Sequence, residues 1–202
     1  MKTVYPGFVW QDCFLAAQDL AAWKQYATPE LEDKVLAAVR GLNLAPAEGA
    51  WAGSEPTRYA TAWNVMNVQH PLLDVLKRAI RRSLDYFTTE PHHARLWLNV
   101  IRDQGEFGWH CHNTSEPGGL FGYVSITAQP SQTIFRLVNV DDAVVIDNID
   151  GYGAWSINTK DGELNVHRTT PMTAPGARIS LAWDVTPSTN PRVMQDTVWM
   201  PL

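Results

Sequence analysis

The sequence predicts an α+β, mainly β protein: a sandwich or barrel of short strands, preceded by helices that cover one of its sheets. Three observations support this fold class. After Pro91, strand-like runs alternate with Gly, Asn, Asp and Pro, which is typical of a sandwich or barrel. Before Pro91, apolar residues recur at helical spacing instead. The 202 residues contain no internal repeat, so they most simply form one domain, with a helical support region at 1–90, a β core at 91–186 and a tail at 187–202.

Three helices and one strand are predicted in the helical support region. The first helix spans about 11–26. The second spans about 28–41, where Thr-Pro-Glu supplies an N-cap, a first-turn proline and an acid. Residues 43–56 are expected to form a loop, and 57–66 a strand. The third helix, 71–87, has a buried apolar stripe and an opposite face that is expected to be solvated: Lys77, Arg78, Arg81 and Arg82.

Short strands dominate the β core. An Asp161-Gly162 turn is expected to join the last hairpin before His167. The tail contains Val198, Trp199 and Met200 and is expected to pack back on the body. The predicted strands lie at about 94–102, 120–128, 132–140, 143–147, 154–158, 162–167 and 177–185.

Composition narrows the possible partners. The formal net charge of -5 provides no basic surface for nucleic acid or an anionic membrane, so a small-molecule partner is expected. The two cysteines suggest no disulfide framework. Neither a signal-peptide core nor an apolar run of about 18 residues is present, so a cytoplasmic location is expected. The oligomeric state is not indicated.

Residues 109–112, Trp-His-Cys-His, form the main candidate for a metal-binding motif. Successive side chains of an extended segment alternate, so His110 and His112 share one face and Cys111 points away. His167 is the best placed third imidazole, because it ends a short strand-like run. Imidazole suits iron, zinc, copper and nickel. The sequence therefore predicts a metal site of three histidines.

Arg178-Ile-Ser180 follows the third histidine by eleven residues. Alternation places the guanidinium of Arg178 and the hydroxyl of Ser180 on one face. A buried arginine needs an anionic partner, and its planar fork matches a carboxylate. These two residues are therefore predicted to bind a carboxylate.

Other polar residues are interpreted as structural. His92 and His93 are adjacent, so they point to opposite faces and are expected to lie on the surface. His70 is expected at the start of the third helix. Glu116 is the nearest acid after the His-x-His motif and is a reserve ligand. Four aspartates between residues 141 and 150 lack calcium-loop spacing and are expected in turns: Asp141, Asp142, Asp147 and Asp150.

The order of these parts resembles the 2-oxoglutarate and iron(II) dependent oxygenases. The resemblance covers roughly residues 57–185 and is closest to members whose first ligand motif is His-x-His. It rests on Trp97-Leu-Asn99, a glycine-containing turn, His110-x-His112, Gly119-Leu-Phe-Gly-Tyr-Val124, His167 and Arg178-x-Ser180.

The resemblance implies a double-stranded β-helix, or jelly roll, of the cupin-like kind, with N-terminal helices packed on one sheet. His110 and His167 would bind iron(II), and Arg178 with Ser180 would hold the distal carboxylate of 2-oxoglutarate. Dioxygen would be the second cosubstrate. Asn99 and Tyr123 are expected to flank the cofactors.

His112 departs from the family pattern, which places a carboxylate at this position. Three imidazoles would leave the iron more positive by one charge and favour anionic co-ligands. Alternatively, His112 swings away and leaves room for a halide or another exogenous ligand. Hydroxylation, halogenation and desaturation all remain open.

The expected function is oxidation, most simply hydroxylation, of a small molecule such as an amino acid or a natural-product intermediate. One alternative is a three-histidine cupin-type metal dioxygenase that needs no 2-oxoglutarate. The other is a non-enzymatic jelly-roll binding module, in which Trp51, Trp63 and Trp109 line a ligand groove.

Overall fold

Two antiparallel sheets form the body of the protein in a computed structural model. It describes residues 3–5, 9–28, 65, 70–102, 105–112, 119–137, 141–157, 166–191 and 199–202. The helices are α1 (Ala17–Tyr26) and α2 (Pro71–Leu84). The strands are β1 (Thr3–Tyr5), β2 (Val9–Cys13), β3 (His92–Arg102), β4 (Leu120–Thr127), β5 (Gln132–Arg136), β6 (Val144–Asp147), β7 (Tyr152–Ile157), β8 (Val166–Thr169), β9 (Ala177–Pro187) and β10 (Met200–Pro201).

The large sheet has the strand order β1-β2-β7-β4-β9-β3-β10, and the small sheet has the order β6-β5-β8. The two sheets face each other across an apolar layer, in which Phe121 and Ala154 of the large sheet meet Phe135 and Ile146 of the small one. An isolated bridge between His110 and His167 extends the small sheet beyond β8. The motif that carries two of the three histidines therefore lies at the margin of the small sheet.

Strand β9 is central to the large sheet and is buried on both faces. Its odd residues, such as Leu181 and Trp183, belong to the core that includes both helices. Its even residues therefore point the other way, toward the small sheet. These inward-facing residues are Arg178, Ser180, Ala182 and Asp184, and they line the space where the histidines lie.

Helix α2 covers the outer face of the large sheet. Its first turn is capped by His70, whose Nδ1 accepts a hydrogen bond from the Leu72 amide at 3.3 Å, and Pro71 occupies the first helical position. Its buried stripe is Leu73, Leu76, Ala79, Ile80 and Leu84. On the basic face, Arg78 and Arg82 are exposed, whereas Lys77 and Arg81 are partly buried.

The first predicted helix begins later than its apolar spacing suggested. Residues 11–13 were predicted to be helical, but they belong to β2, which pairs with β7 in the register Trp10↔Trp155. The amides of Phe14 and Leu15 then donate to the Gly151 carbonyl, and α1 begins at Ala17. Pairing with a distant strand outweighs local periodicity here. The 1–90 region therefore supplies β1 and β2 to the large sheet as well as helices.

His92 is not the surface residue that was predicted. It is only 7% exposed, its Nδ1 donates to the Glu90 carbonyl at 2.6 Å, and burial lowers its pKa. The reason is that residue 92 shares its strand face with Ala94 and Leu96, which lie in the core that α2 covers, and Arg81 of α2 is near enough to affect its pKa. The tail adds β10 beside β3, where the Leu202 amide donates to the His92 carbonyl. His93 is half-buried and lies 2.8 Å from the Ser188 hydroxyl. The tail therefore packs back on the body as expected.

Several predicted features lie wholly or almost wholly outside the described residues. These are the second helix, the loop at 43–56 with Trp51, the strand at 57–66 with Trp63, Glu116 and the Asp161-Gly162 turn. Within the described part of the chain, neither helix has the length and apolar character that crossing a bilayer requires.

We expect Gly153→Ala to destabilise the fold. A Cβ at this position would overlap the Tyr123 carbonyl oxygen of the neighbouring strand, so β4 and β7 would have to separate. Overpacking of this kind costs about 1–3 kcal/mol of unfolding free energy. Urea unfolding of the two proteins measures the loss. The matched control is Gly108→Ala, where no atom of the described residues lies within 4 Å of the added Cβ and the change should stay within about 0.5 kcal/mol.

Candidate metal centre

Backbone pairing brings the first and last histidines of the predicted site together. The His110 amide donates to the His167 carbonyl at 3.0 Å, and the His167 amide donates to the His110 carbonyl at 2.8 Å. Directly paired residues of an antiparallel bridge project their side chains to the same face. Their ring centroids are 4.1 Å apart.

His112 joins this pair from the same side of its segment. Its ring centroid lies 5.1 Å from that of His167 and 5.8 Å from that of His110. One potential ligand atom from each residue lies within 4.8 Å of the other two. The three histidines singled out from the sequence are thus brought together in one cluster.

Hydrogen bonds orient two of the rings. The Nδ1 of His110 donates to the Gly108 carbonyl at 2.8 Å, and the Nδ1 of His112 donates to a carboxylate oxygen of Asp184 at 2.7 Å. Because these partners only accept, Nδ1 carries the proton and Nε2 keeps its lone pair in the neutral ring. The Nδ1 of His167 is buried and has no hydrogen-bond partner among the described residues. The cluster therefore offers lone pairs that a cation would satisfy.

Burial keeps the two paired histidines uncharged at neutral pH. Desolvation lowers the pKa of His110, and the neighbouring His112 adds to this effect. Desolvation lowers the pKa of His167 much further, assisted by repulsion from His110 and His112. Neutral imidazole is the form that binds metal.

Asp184 is the part of the site that sequence analysis missed. It is 1% exposed, and its second oxygen accepts from Arg95 Nη2 at 2.6 Å. Burial raises the pKa of this carboxyl, but the opposing effects of His112 and Arg95 are larger in sum, so the net pKa is lowered and the group is anionic. The signal was present in the sequence, because residue 184 has the same strand parity as Arg178 and Ser180.

Aromatic side chains enclose the histidines. Phe121 stacks on His167 with a centroid distance of 4.8 Å, and Trp97 lies 5.1 Å from His112. Phe107 lies 5.5 Å from His110. These rings make an apolar shell that limits water access to a bound ion.

Arg178 is buried on the same inner face of β9. It is 3% exposed, and its Nη1 donates to the Ser131 hydroxyl at 3.2 Å. Desolvation lowers its pKa to about 10, so the guanidinium is still charged at neutral pH. Within the described ranges no carboxylate lies at ion-pair distance from it. A buried cation without a counter-ion is costly, so this position suits an anionic ligand.

A hydrogen-bonded network ties Arg178 to Tyr123. The Tyr123 hydroxyl donates to Asn148 Oδ1 at 3.0 Å, and the Asn148 amide nitrogen donates to the same Ser131 hydroxyl at 3.0 Å. The Thr133 hydroxyl also donates to Asn148 Oδ1, at 2.9 Å. Ser131 and Asn148 carried no sequence signal, because they lie in the turns that flank β5 and β6.

Asn99 and Ser180 are paired across the neighbouring strands β3 and β9. Asn99 Nδ2 lies 3.4 Å from the Ser180 hydroxyl, and both residues are buried. Asn99 Oδ1 is shielded from solvent, and no residue in the described part of the chain hydrogen-bonds to it. The two residues therefore add polar groups that can still form hydrogen bonds to the inner face that also carries Arg178.

Comparisons with known proteins identify the fold. No protein-family model and no curated protein matches the sequence. The structure is similar to SnoN, a non-heme alpha ketoglutarate dependent epimerase from nogalamycin biosynthesis (TM-score 0.56, 13% identity, 91% of this chain and 77% of SnoN). It is also similar to HygX from Streptomyces hygroscopicus with nickel and 2-oxoglutarate bound (TM-score 0.57, 10% identity, 91% and 84%).

A third similar structure is the viral collagen prolyl hydroxylase vCPH from Paramecium Bursaria Chlorella virus-1, as a 2OG complex (TM-score 0.54, 12% identity, 89% of this chain and 96% of vCPH). At these identities the similarity shows the fold. The chain has the jelly-roll fold of 2-oxoglutarate and iron(II) oxygenases, and the predicted fold class is confirmed.

Proposed function

We propose that the protein is a non-haem iron(II) and 2-oxoglutarate dependent oxygenase that oxidises a small molecule. The observation that carries this proposal is the combination of two features in the space between the sheets. One is a cluster of three histidines with available lone pairs, and the other is a buried guanidinium without a described counter-ion. A metal alone would explain only the first feature, whereas a metal with a dicarboxylate cosubstrate explains both.

The residues present fit this cofactor set. His110, His112 and His167 would hold the iron, since imidazole nitrogen is a good ligand for it. Arg178 and Ser180 would hold the distal carboxylate of 2-oxoglutarate through charge-assisted hydrogen bonds. When bound, the iron, 2-oxoglutarate and dioxygen together supply the oxidising power that removes hydrogen from a substrate carbon.

The chain's own residues orient and shield this chemistry. Asp184 holds the His112 ring toward the other two histidines, which favours three imidazole ligands over a ring that swings away. Tyr123, Asn148 and Ser131 fix the position of the Arg178 guanidinium. The aromatic shell of Phe107, Phe121 and Trp97 keeps bulk water from the metal side.

The substrate is proposed to be a small molecule such as an amino acid or a natural-product intermediate, and the reaction to be hydroxylation. Support comes from the acidic net charge of -5, which does not favour nucleic acid. SnoN, one of the similar structures, belongs to nogalamycin biosynthesis, and this is consistent with a small-molecule substrate.

The second candidate is a three-histidine metal dioxygenase that binds its substrate directly and needs no 2-oxoglutarate. The observation in its favour is that all three clustered ligands are imidazoles, with the carboxylate of Asp184 held behind one of them. This candidate leaves the burial of Arg178 unexplained.

An anaerobic titration distinguishes the two candidates. Iron(II) should bind with one equivalent per chain, and 2-oxoglutarate should then produce a visible metal-to-ligand charge-transfer band. On admission of oxygen, succinate should form. Stoichiometric iron binding without any spectral response to 2-oxoglutarate would favour the second candidate. If the wild-type chain retains no iron, both candidates fail and the binding-module alternative gains support.

A further inference from the structure

Asp184 and Arg95 form a buried ion pair behind His112, and a site of three histidines does not by itself require such a pair. Asp184 lies between two donors: His112 Nδ1 at 2.7 Å on one oxygen and Arg95 Nη2 at 2.6 Å on the other. The carboxylate is 1% exposed, and the side chain of Arg95 is 22% exposed. Arg95 also lies over the rings of Trp97 and Trp199, with its guanidinium carbon 5.8 and 5.4 Å from their centroids.

We infer that Asp184 is a positioning residue that holds His112 in its metal-binding tautomer, and that Arg95 limits the negative charge which this carboxylate presents to the metal. The inference rests on the proposed metal site. It assigns distinct and opposite effects to two residues that touch each other but do not bind the ion.

The two hydrogen bonds to Asp184 decide which nitrogen of His112 carries the proton. Both neighbours of Asp184 are donors, and a carboxylate offers one acceptor oxygen to each of them. The Nδ1 proton of His112 is therefore held in place, and Nε2 is left for the metal. A carboxylate behind a ligating imidazole also raises the basicity of that ligand.

Arg95 affects the charge near the metal. Three neutral imidazoles give the metal no negative ligand, and the negative charge of Asp184 lies behind one of them, His112, to which it is hydrogen-bonded. The guanidinium of Arg95 offsets this charge. Removing the guanidinium should therefore expose a divalent cation to the full charge of the carboxylate, whereas removing the carboxylate charge should have the opposite effect.

Asp184→Asn and Arg95→Gln separate these roles. An amide has one acceptor oxygen, so in Asp184→Asn one of the two donors must face an NH₂ group. The guanidinium of Arg95 can only donate, so the amide oxygen should face Arg95 and the NH₂ group should face His112, whose proton then moves to Nε2 and blocks metal binding. We expect the Kd for Co(II) to rise about 10–100-fold, as is typical for loss of an outer-sphere partner. In Arg95→Gln we expect the Kd to fall, on the order of fivefold.

The matched control is Thr186→Val. Thr186 lies on the same face of β9, is 4% exposed, accepts a hydrogen bond from Asn190 at 2.8 Å, and is outside the cluster of His110, His112 and His167. This variant loses a partly buried hydrogen bond without changing the charge near the site. Its Kd for Co(II) should equal that of the wild type. Co(II) absorption measured on the purified full chain gives all four constants.

A second measurement needs no variant and no metal. In the metal-free wild-type protein, ¹⁵N spectra of labelled histidine should show His112 protonated at Nδ1. Protonation at Nε2 would overturn the inference, and so would an unchanged Kd in Asp184→Asn or a raised Kd in Arg95→Gln. If the wild type binds no Co(II), the proposed metal site fails, while the ¹⁵N spectrum still tests the positioning of His112.

Discussion

Arg178→Ala should weaken 2-oxoglutarate binding strongly while the metal continues to bind. The guanidinium is buried, charged and without a described counter-ion, so it is available to a carboxylate. Truncating one partner of a buried charge pair costs about 2–5 kcal/mol, which corresponds to a Kd for 2-oxoglutarate raised about 30- to 5000-fold. The charge-transfer band in an anaerobic titration measures this Kd, and succinate release measures turnover.

The control for this substitution is Arg136→Ala. Arg136 is an exposed arginine of β5 that lies over the Trp109 ring, with its guanidinium carbon 4.6 Å from the ring centroid. Its removal should leave the Kd for 2-oxoglutarate unchanged. If Arg178→Ala binds 2-oxoglutarate as the wild type does, the cosubstrate assignment is wrong, and the dioxygenase without 2-oxoglutarate becomes the better proposal.

His167→Ala should eliminate stoichiometric metal binding. His167 is buried, desolvation lowers its pKa, and its Nδ1 has no partner within the described ranges. Loss of a direct ligand should exceed the 10–100-fold cost of losing an outer-sphere partner. Metal analysis after anaerobic reconstitution should therefore find well under one equivalent of iron(II), and succinate should not form. His110→Ala should behave in the same way.

His93→Ala is the matched control for the histidine substitutions. His93 is half-buried on β3, where its Nδ1 lies 2.8 Å from the Ser188 hydroxyl, and it lies outside the histidine cluster. This variant should retain one equivalent of iron. Thermal unfolding of the metal-free variants shows whether each still folds. A folded His167→Ala protein with a full equivalent of iron would refute the three-histidine site.

The sequence predicted much of the β core because its signals there are local. Alternation along the strand placed Arg178 and Ser180 on one face, and the observed register, in which Ser180 pairs with Asn99, agrees. The same alternation placed His110 and His112 together. These predictions succeeded because the side-chain period of a strand is fixed by its backbone.

Other features were missed because their causes are not local. Residues 11–13 were assigned to a helix whose apolar spacing begins at Phe14, but they pair with β7, which lies far along the chain. His92 is buried because its strand places it, with Ala94 and Leu96, on the face that α2 covers. Ser131 reaches Arg178, and Asn148 in turn donates to Ser131, only because two turns that are separate in the sequence lie next to each other.

The sequence by itself determined the mainly β class, the His-x-His motif, the third histidine and the Arg-x-Ser pair. Each of these follows from residue type and strand periodicity, which are local properties of a segment and do not depend on the strands with which it pairs. Only the tertiary structure decided that the three imidazoles converge and that Asp184 and Arg95 stand behind His112. Those contacts join β3, β8, β9 and the His110 segment, and the register between distant strands is set by packing of the whole core.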